Sequence, residues 1–143
     1  MEDIKFRAWD RDMHEMVKVD AIIFKSNCQD VNEEYILDEH NDIRYLKDID
    51  IMQYTGLKDK NGVEIYEGDI VHAKITHYDN CSRKKIWKVE EIYGEVCFED
   101  QTYSIKYADE EGETWLKPFM WFMDECEIEV FGNIYHNPDL VKN

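Results

Sequence analysis

Met52-Gln-Tyr-Thr-Gly-Leu-Lys-Asp-Lys-Asn-Gly-Val-Glu-Ile-Tyr-Glu-Gly-Asp-Ile-Val71 holds three of the chain's six glycines. Each stands beside a residue that favours a turn. Glycine reaches positive φ without a Cβ clash and Asn tolerates it best among the others, so Thr55-Gly56, Asn61-Gly62 and Glu67-Gly68-Asp69 predict three reversals. Asn61-Gly62 is the dipeptide of a two-residue type I′ hairpin turn, and Gly68-Asp69-Ile70-Val71 opens a new strand. The stretch predicts tightly folded β-sheet. It offers no phosphate-binding glycine loop, nucleophile or ligand cluster.

Working outward, alternation of period two continues in both directions. Ile4, Phe6 and Ala8 alternate with Lys5, Arg7 and Trp9, and Val17, Val19, Ala21 and Ile23 follow across the polar reversal Asp10-Arg-Asp-Met-His14, predicting a hairpin. Between Lys25 and Asp42 the chain turns acidic; Asn32 ahead of Glu33-Glu34 reads either as the cap of a short helix over Tyr35-Ile-Leu37 or as an exposed loop. Ile43-Arg-Tyr-Leu46 and Asp48-Ile-Asp-Ile51 are extended. Beyond the opening stretch, Val71, Ala73 and Ile75 share one face, with His72, Lys74 and Thr76 on the other. Val96 and Phe98 pair through Asp100-Gln101 with Tyr103, Ile105 and Tyr107, leaving Ser104 and Lys106 outside. Trp115-Leu-Lys-Pro-Phe-Met-Trp-Phe-Met123 is dense in large apolar side chains, but Pro118 argues against a central strand. A short helix or irregular arm is expected there, buried in the core or against another subunit. Cys126, Ile128 and Val130 alternate with Glu125, Glu127 and Glu129, and Asn137-Pro138 predicts one last helical turn.

The length of 143 residues suits one domain spanning 1–143 and suffices for a real core. Lys plus Arg number 17 against 33 Asp plus Glu, a net charge of −16. Such a balance repels phosphate backbones and anionic membranes, so direct nucleic-acid binding is disfavoured. Residues 1–71 carry 18 acids and 9 bases and residues 72–143 carry 15 and 8, an even spread that favours a solvated surface over an acidic tail. No signal-peptide pattern and no run of about 18 apolar residues is present, which predicts a cytoplasmic protein without a membrane span. Cys28, Cys81, Cys97 and Cys126 form no Cys-x-x-Cys pair and read as free thiols.

The candidates for chemistry are weak. His72, His77 and Cys81 crowd together, but a spacing of five puts the histidines on opposite faces of a strand and no fourth ligand matches. Asp69 reads as a turn acid bonding backbone amides. Ser26, Ser82 and Ser104 sit in no nucleophile elbow. The basic run Arg83, Lys84, Lys85 with Lys88 reads as a solvated loop before a phosphate contact. Trp9, Tyr54, Tyr66, Trp87 and Trp121 lack the basic groove that base-stacking platforms need, so most are assigned to the core or to subunit contacts. No catalytic, cofactor-binding or metal residues are therefore expected, and the protein is read as a non-enzyme.

Three blocks carry a resemblance to a known family: Ile4-Lys-Phe-Arg-Ala-Trp-Asp10, the stretch Met52–Val71, and Glu129-Val-Phe-Gly-Asn-Ile-Tyr-His-Asn-Pro-Asp-Leu140. The chain resembles the YopX family encoded by bacteriophages and prophages of Gram-positive bacteria, with His136 where the family pattern expects an acid. The resemblance implies a mainly β fold with small, barrel-like, strongly bent antiparallel sheets, an SH3-like barrel being one form, plus one or two short helical turns. It further implies a tendency to form homo-oligomers in the bacterial host cytoplasm, and it supplies no activity. The function expected is that of a phage or prophage accessory protein, self-associating and engaging a host or phage protein. The alternatives are an acidic decoy for a basic nucleic-acid-binding protein and an enzyme with an unrecognised site.

Overall fold

Alternation becomes strand almost wherever it occurs. The computed structural model describes residues 3–25, 33–78, 85–119 and 126–140. Within them run eleven strands: β1 Phe6–Asp10, β2 Glu15–Ile23, β3 Tyr35–Asp38, β4 Ile43–Tyr45, β5 Ile49–Lys58, β6 Glu64–Tyr66, β7 Asp69–Tyr78, β8 Ile86–Glu99, β9 Thr102–Ala108, β10 Thr114–Pro118 and β11 Cys126–Asn133. Single 3-10 turns occupy Leu46–Asp48 and Pro138–Leu140, the second being the helical turn expected after Asn137. The contacts gather into two compact units, Met1–Tyr54 and Thr55–Asn143.

In the first unit the strand order is β4-β3-β2-β1-β5, all antiparallel. Ala8 lies opposite both Val17 and Ile51, so one face of the hairpin gathers Ala8, Val17, Ile36 and Ile49 into a core, with Val19, Ile22, Leu46 and Ile51 against it. Tyr35-Ile-Leu37 is strand β3 and not the short helix or loop. Ile36 explains the difference: it pairs with Ile22 and is fully buried, and removing one such side chain from water contributes about 1.5–3 kcal/mol, more than weak helix propensity over three residues can offer. Asn32, the proposed cap, lies outside the described residues.

In the second unit, β6 adds to the part of β5 beyond Tyr54, and a five-stranded antiparallel sheet runs β10-β9-β8-β7-β11. Val71, Ala73 and Ile75 point inward from β7 as expected and meet Ile65, Ile92, Val96, Ile105, Phe119 and Ile128. Bent antiparallel sheets form, but the sheets end at β4 and β6 and at β10 and β11, so neither closes into a barrel among the described residues. The closest approach of β9 to β8 is marked by Gly94. A Cβ there would stand 2.5 Å from the Lys106 carbonyl oxygen and 2.6 Å from Ile105 Cγ2, so β9 crosses directly over the glycine. Ser104, expected outside, is buried on β9 beside Ile105.

The turns revise the reading of the opening stretch. Gly56 has φ +86° yet sits inside β5, where Thr55 Oγ1 donates to the Ile65 carbonyl at 2.7 Å; it kinks a strand without reversing it. Gly62 has φ +81°, but Asn61 is not in the positive-φ region, so the hairpin is no type I′ turn. Instead the Gly62 N–H donates to the Asp59 carbonyl at 3.0 Å, the Asp59 N–H to the Val63 carbonyl at 2.8 Å, and Asp59 Oδ1 accepts the N–H groups of Asn61 and Val63. This is a type I turn closed by a left-handed residue. The two-residue turn with positive φ at both centres falls at Asp100-Gln101, with φ 51° and 64°, between the paired Glu99 and Thr102.

Among the described residues the Asp59 arrangement occurs three times. Asp38-Glu-His-Asn-Asp42 and Asp109-Glu-Glu-Gly-Glu113 show the same backbone bonds and the same Oδ1 acceptance from the second and fourth residues on. Asn41 takes φ 66° where the others have glycine. In each the second carboxylate oxygen reaches elsewhere: Asp38 Oδ2 to Arg44 Nε at 2.9 Å, Asp59 Oδ2 to the Val130 N–H at 2.9 Å, and Asp109 Oδ2 to the Trp115 indole N–H at 2.8 Å. For Asp59, burial alone would raise the pKa. The N–H groups of Val130, Val63 and Asn61 outweigh it and hold the carboxyl below its ordinary range.

Arg44 is the polar hub of the first unit. Its guanidinium meets Asp38 through Nε, Asp10 through Nη1 at 2.7 Å and Glu15 through Nη2 at 2.7 Å. Asp10 Oδ1 meanwhile accepts the N–H groups of Asp12 and Met13 and so closes the reversal between β1 and β2. Burial pushes the Asp10 and Asp38 carboxyls up, but backbone donors and Arg44 prevail and hold both low.

Candidate interaction face and strand groove

Since alternate side chains of a strand face opposite ways, burying Val71, Ala73 and Ile75 sends His72, Lys74 and Thr76 to the outer face of the sheet. His72 lies between Tyr93 of β8 and Glu129 of β11, and Lys74 between Glu91 and Glu127. A bulge between Val130 and Gly132 swings Phe131 toward the same histidine. The His72 ring centroid stands 4.5 Å from that of Tyr93 and 6.0 Å from that of Phe131, and the two outer rings are 5.9 Å apart. Tyr93 is 58% and Phe131 51% exposed. Carboxylates rim the trio: Glu91 lies 3.5 Å from His72 Nε2, and Glu129 pairs with Lys60 at 3.3 Å. An aromatic cluster of this kind on a hydrogen-bonded sheet suits contact with protein surfaces.

A second feature follows from the crossing at Gly94. β8 pairs with β7 from Ile86 to Glu95 but with β9 only from Glu95 to Glu99. Below Glu95 the two partners of β8 part company, and a cavity of about 610 Å³ opens beside it. It is lined by six consecutive β8 residues, Glu90 to Glu95, and on the far side by the end of β9 and its Asp109 turn. Glu90 closes the inner side: its carboxylate takes Lys117 Nζ at 3.0 Å and His77 Nε2 at 3.2 Å. Burial would raise Glu90, but Lys117 and His77 hold it low, whereas burial pushes Glu95 up.

The residues weighed in the sequence fall as follows. Asp69 is buried and accepts the Tyr66 N–H at 2.8 Å, a turn acid as expected. His72 and His77 each face a glutamate of β8, and Cys81 lies outside the described residues. Among the described residues no three His, Cys, Asp or Glu side chains group as metal ligands would. Ser26, Ser82, Arg83, Lys84 and Trp121 also lie outside them, while Lys85 and Lys88 are exposed. Trp9 and Tyr54 are buried in the first unit, and Trp87 is 70% exposed. The start of the aromatic run is neither helix nor arm but edge strand β10, whose last residue is Pro118; Phe119 enters the core and Trp115 stays half exposed. Residues 86–93 carry no predicted strand, although they form the longer part of β8, because Ile86-Trp-Lys-Val-Glu-Glu-Ile-Tyr93 places large apolar side chains on both parities. Among the described residues no helix is long and apolar enough to cross a membrane.

A family model described as YopX protein matches residues 5–142. Among solved structures, the crystal structure of protein EF1440 from Enterococcus faecalis is 26% identical, with 99% of this chain and 100% of that one covered and a TM-score of 0.53. The YopX protein of Bacillus subtilis is 20% identical, with 96% and 98% covered and a TM-score of 0.57, and supports the fold. No curated protein matches.

Proposed function

Because the chain belongs to the YopX family, we propose that it is a non-enzymatic accessory protein of a phage or prophage, acting in the bacterial cytoplasm as a self-associating protein-interaction module. The phage and cytoplasmic parts of the reading rest on the family resemblance. The observation that carries the interaction part is the trio His72, Tyr93 and Phe131 on the outer sheet, in which Tyr93 and Phe131 are half exposed and Phe131 stands edge-on to both other rings. Covering the open half of each large ring removes roughly 100 Å² from water, worth about 2–3 kcal/mol per ring. A face repeated on two copies doubles that gain, against the repulsion between two chains of charge −16. Association is therefore expected to strengthen as salt screens the repulsion.

Sedimentation velocity over a micromolar concentration series, at low and high salt, tests the reading. The protein is expected to associate, and Tyr93→Ser with Phe131→Ser to shift it towards monomer while the far-UV circular dichroism stays unchanged. A protein monomeric throughout, or an assembly indifferent to both substitutions, overturns it.

A further inference from the structure

We propose that the edge of β8 between Lys88 and Gly94 is a docking slot for one extended, basic segment of another protein, which would add to the sheet as a strand between β8 and the β9–β10 hairpin. The surface differs from the aromatic face, although Tyr93 serves both, with its ring on the face and its backbone on the edge.

Backbone direction supports the slot. The Gly68 N–H donates to the Val96 carbonyl, and Gly68 immediately precedes β7, so Val96 and its even-numbered neighbours turn their backbone groups toward β7. The register between the two strands is unbroken from Ile70/Glu95 to His77/Lys88. The odd residues Val89, Glu91 and Tyr93 must then aim their N–H and C=O groups away from β7, along the side where β9 has departed. No strand pairs with that side among the described residues. Lining by six residues in sequence says the same, since a cavity on a face would meet only every second side chain. At about 3.4 Å per residue, the seven positions from Lys88 to Gly94 accommodate a segment of roughly five to seven residues.

Charge selects the occupant. The cavity lining carries Glu90, Glu91, Glu95, Asp109 and Glu110 against Lys88 and Lys106. A second copy pairing antiparallel about Glu90-Glu91 would set carboxylate opposite carboxylate, which is unfavourable for cross-strand neighbours. A partner strand with Lys or Arg on alternate positions meets the opposite situation, and the exposed Ile86, Trp87 and Val89 offer apolar contact to the residues between.

The test is fluorescence anisotropy with a labelled peptide of about seven alternating Val and Lys residues, measured on the protein and on the Phe131→Ser variant, whose substituted ring lies outside the slot, so that self-association and peptide binding are read separately. Saturable binding that weakens with salt is expected. N-methylating alternate peptide bonds removes the ladder donors and is expected to cost about tenfold or more in affinity, as several edge hydrogen bonds are lost together. A Val/Glu peptide is expected not to bind. Val89→Pro removes one edge N–H without touching the ladder to β7 and is expected to weaken binding with an unchanged melting temperature, while Val89→Thr binds normally. No saturable binding of the Val/Lys peptide, or equal affinity for its N-methylated form, overturns the proposal.

Discussion

Replacing Arg44 by Leu isolates what the three-carboxylate hub contributes. The guanidinium, 14% exposed, bonds Asp38, whose side chain is fully buried, Asp10, which is 8% exposed, and the more open Glu15. Without it Asp38 keeps the N–H groups of His40 and Asp42, and Asp10 those of Asp12 and Met13, but two buried carboxylates lose their cation. Breaking one buried pair by removing a partner typically costs about 3–5 kcal/mol, and Glu15 adds little at its exposure, so a loss of roughly 4 kcal/mol is expected. The pH dependence carries the diagnosis. In the native protein the Asp10 and Asp38 pKa values are lowered, so their contribution is fully present above the unfolded value of about 3.9 and is lost as pH falls through the folded values beneath it. In the variant the burial that already pushes these carboxyls up is no longer opposed by Arg44. Their folded pKa values then rise, the backbone donors alone opposing burial, and the deficit is largest near neutrality and shrinks as they protonate. Urea denaturation followed by circular dichroism, at about pH 7 and again near pH 4, measures both effects. Arg44→Lys, which keeps a charge but not the three-way fork, is expected to fall between. A loss below about 1 kcal/mol, or an equal loss at both pH values, would refute the account.

Two further perturbations follow from local geometry. Gly94→Ala drives a methyl into the Lys106 carbonyl and is expected to destabilise by about 3 kcal/mol, whereas Gly56→Ala, with open space but φ +86°, is expected to lose only about 1–2 kcal/mol; urea midpoints in the reverse order would show that β9 does not cross where described. Burial pushes the Cys97 and Cys126 thiols up to about 11, so at about pH 8 both are expected to react with iodoacetamide roughly 100-fold more slowly than a cysteine in a short peptide. Peptide mapping by mass spectrometry reads each rate, and peptide-like labelling at either site contradicts the burial.

Period-two alternation made β1, β2, β7, β9 and β11 legible, because each has one face in a core and one outside it. It failed where a strand escapes that condition. Residues 86–93 keep large side chains on both parities because one edge of β8 and part of its outer face are open, and Tyr35–Leu37 is too short for its period to be told from a helical turn. Ser104 is polar yet buried, which alternation alone reads as outside. At the turns, glycine was a true marker of positive φ but a poor guide to chain direction: Gly56 kinks a strand, and Gln101 reverses one at φ 64° with no glycine. The better signal at three of the loops was the aspartate four residues before the loop's last residue, whose second oxygen finds a partner that local sequence does not reveal. The aromatic face was hidden for the same reason, since Tyr93 and Phe131 meet at His72 only through strand register and a bulge.

The divided loyalty of Asp59 has a consequence for the order in which the chain can mature during synthesis. One oxygen closes its turn through Val63, four residues on, while the other waits for Val130, which lies 71 residues later. At the usual pace of about 5–20 residues per second, a ribosome adds that partner roughly 4–14 s after Asp59. Until then the carboxylate is a half-bonded anion that favours water, and only β11, which brings both the waiting N–H and the core side chain Ile128, makes its burial favourable. A nascent chain halted before β11 therefore keeps this hairpin wet, and an amide-protection signal at Val63 that sharpens only when residues up to Val130 are present would mark the moment the second unit seals.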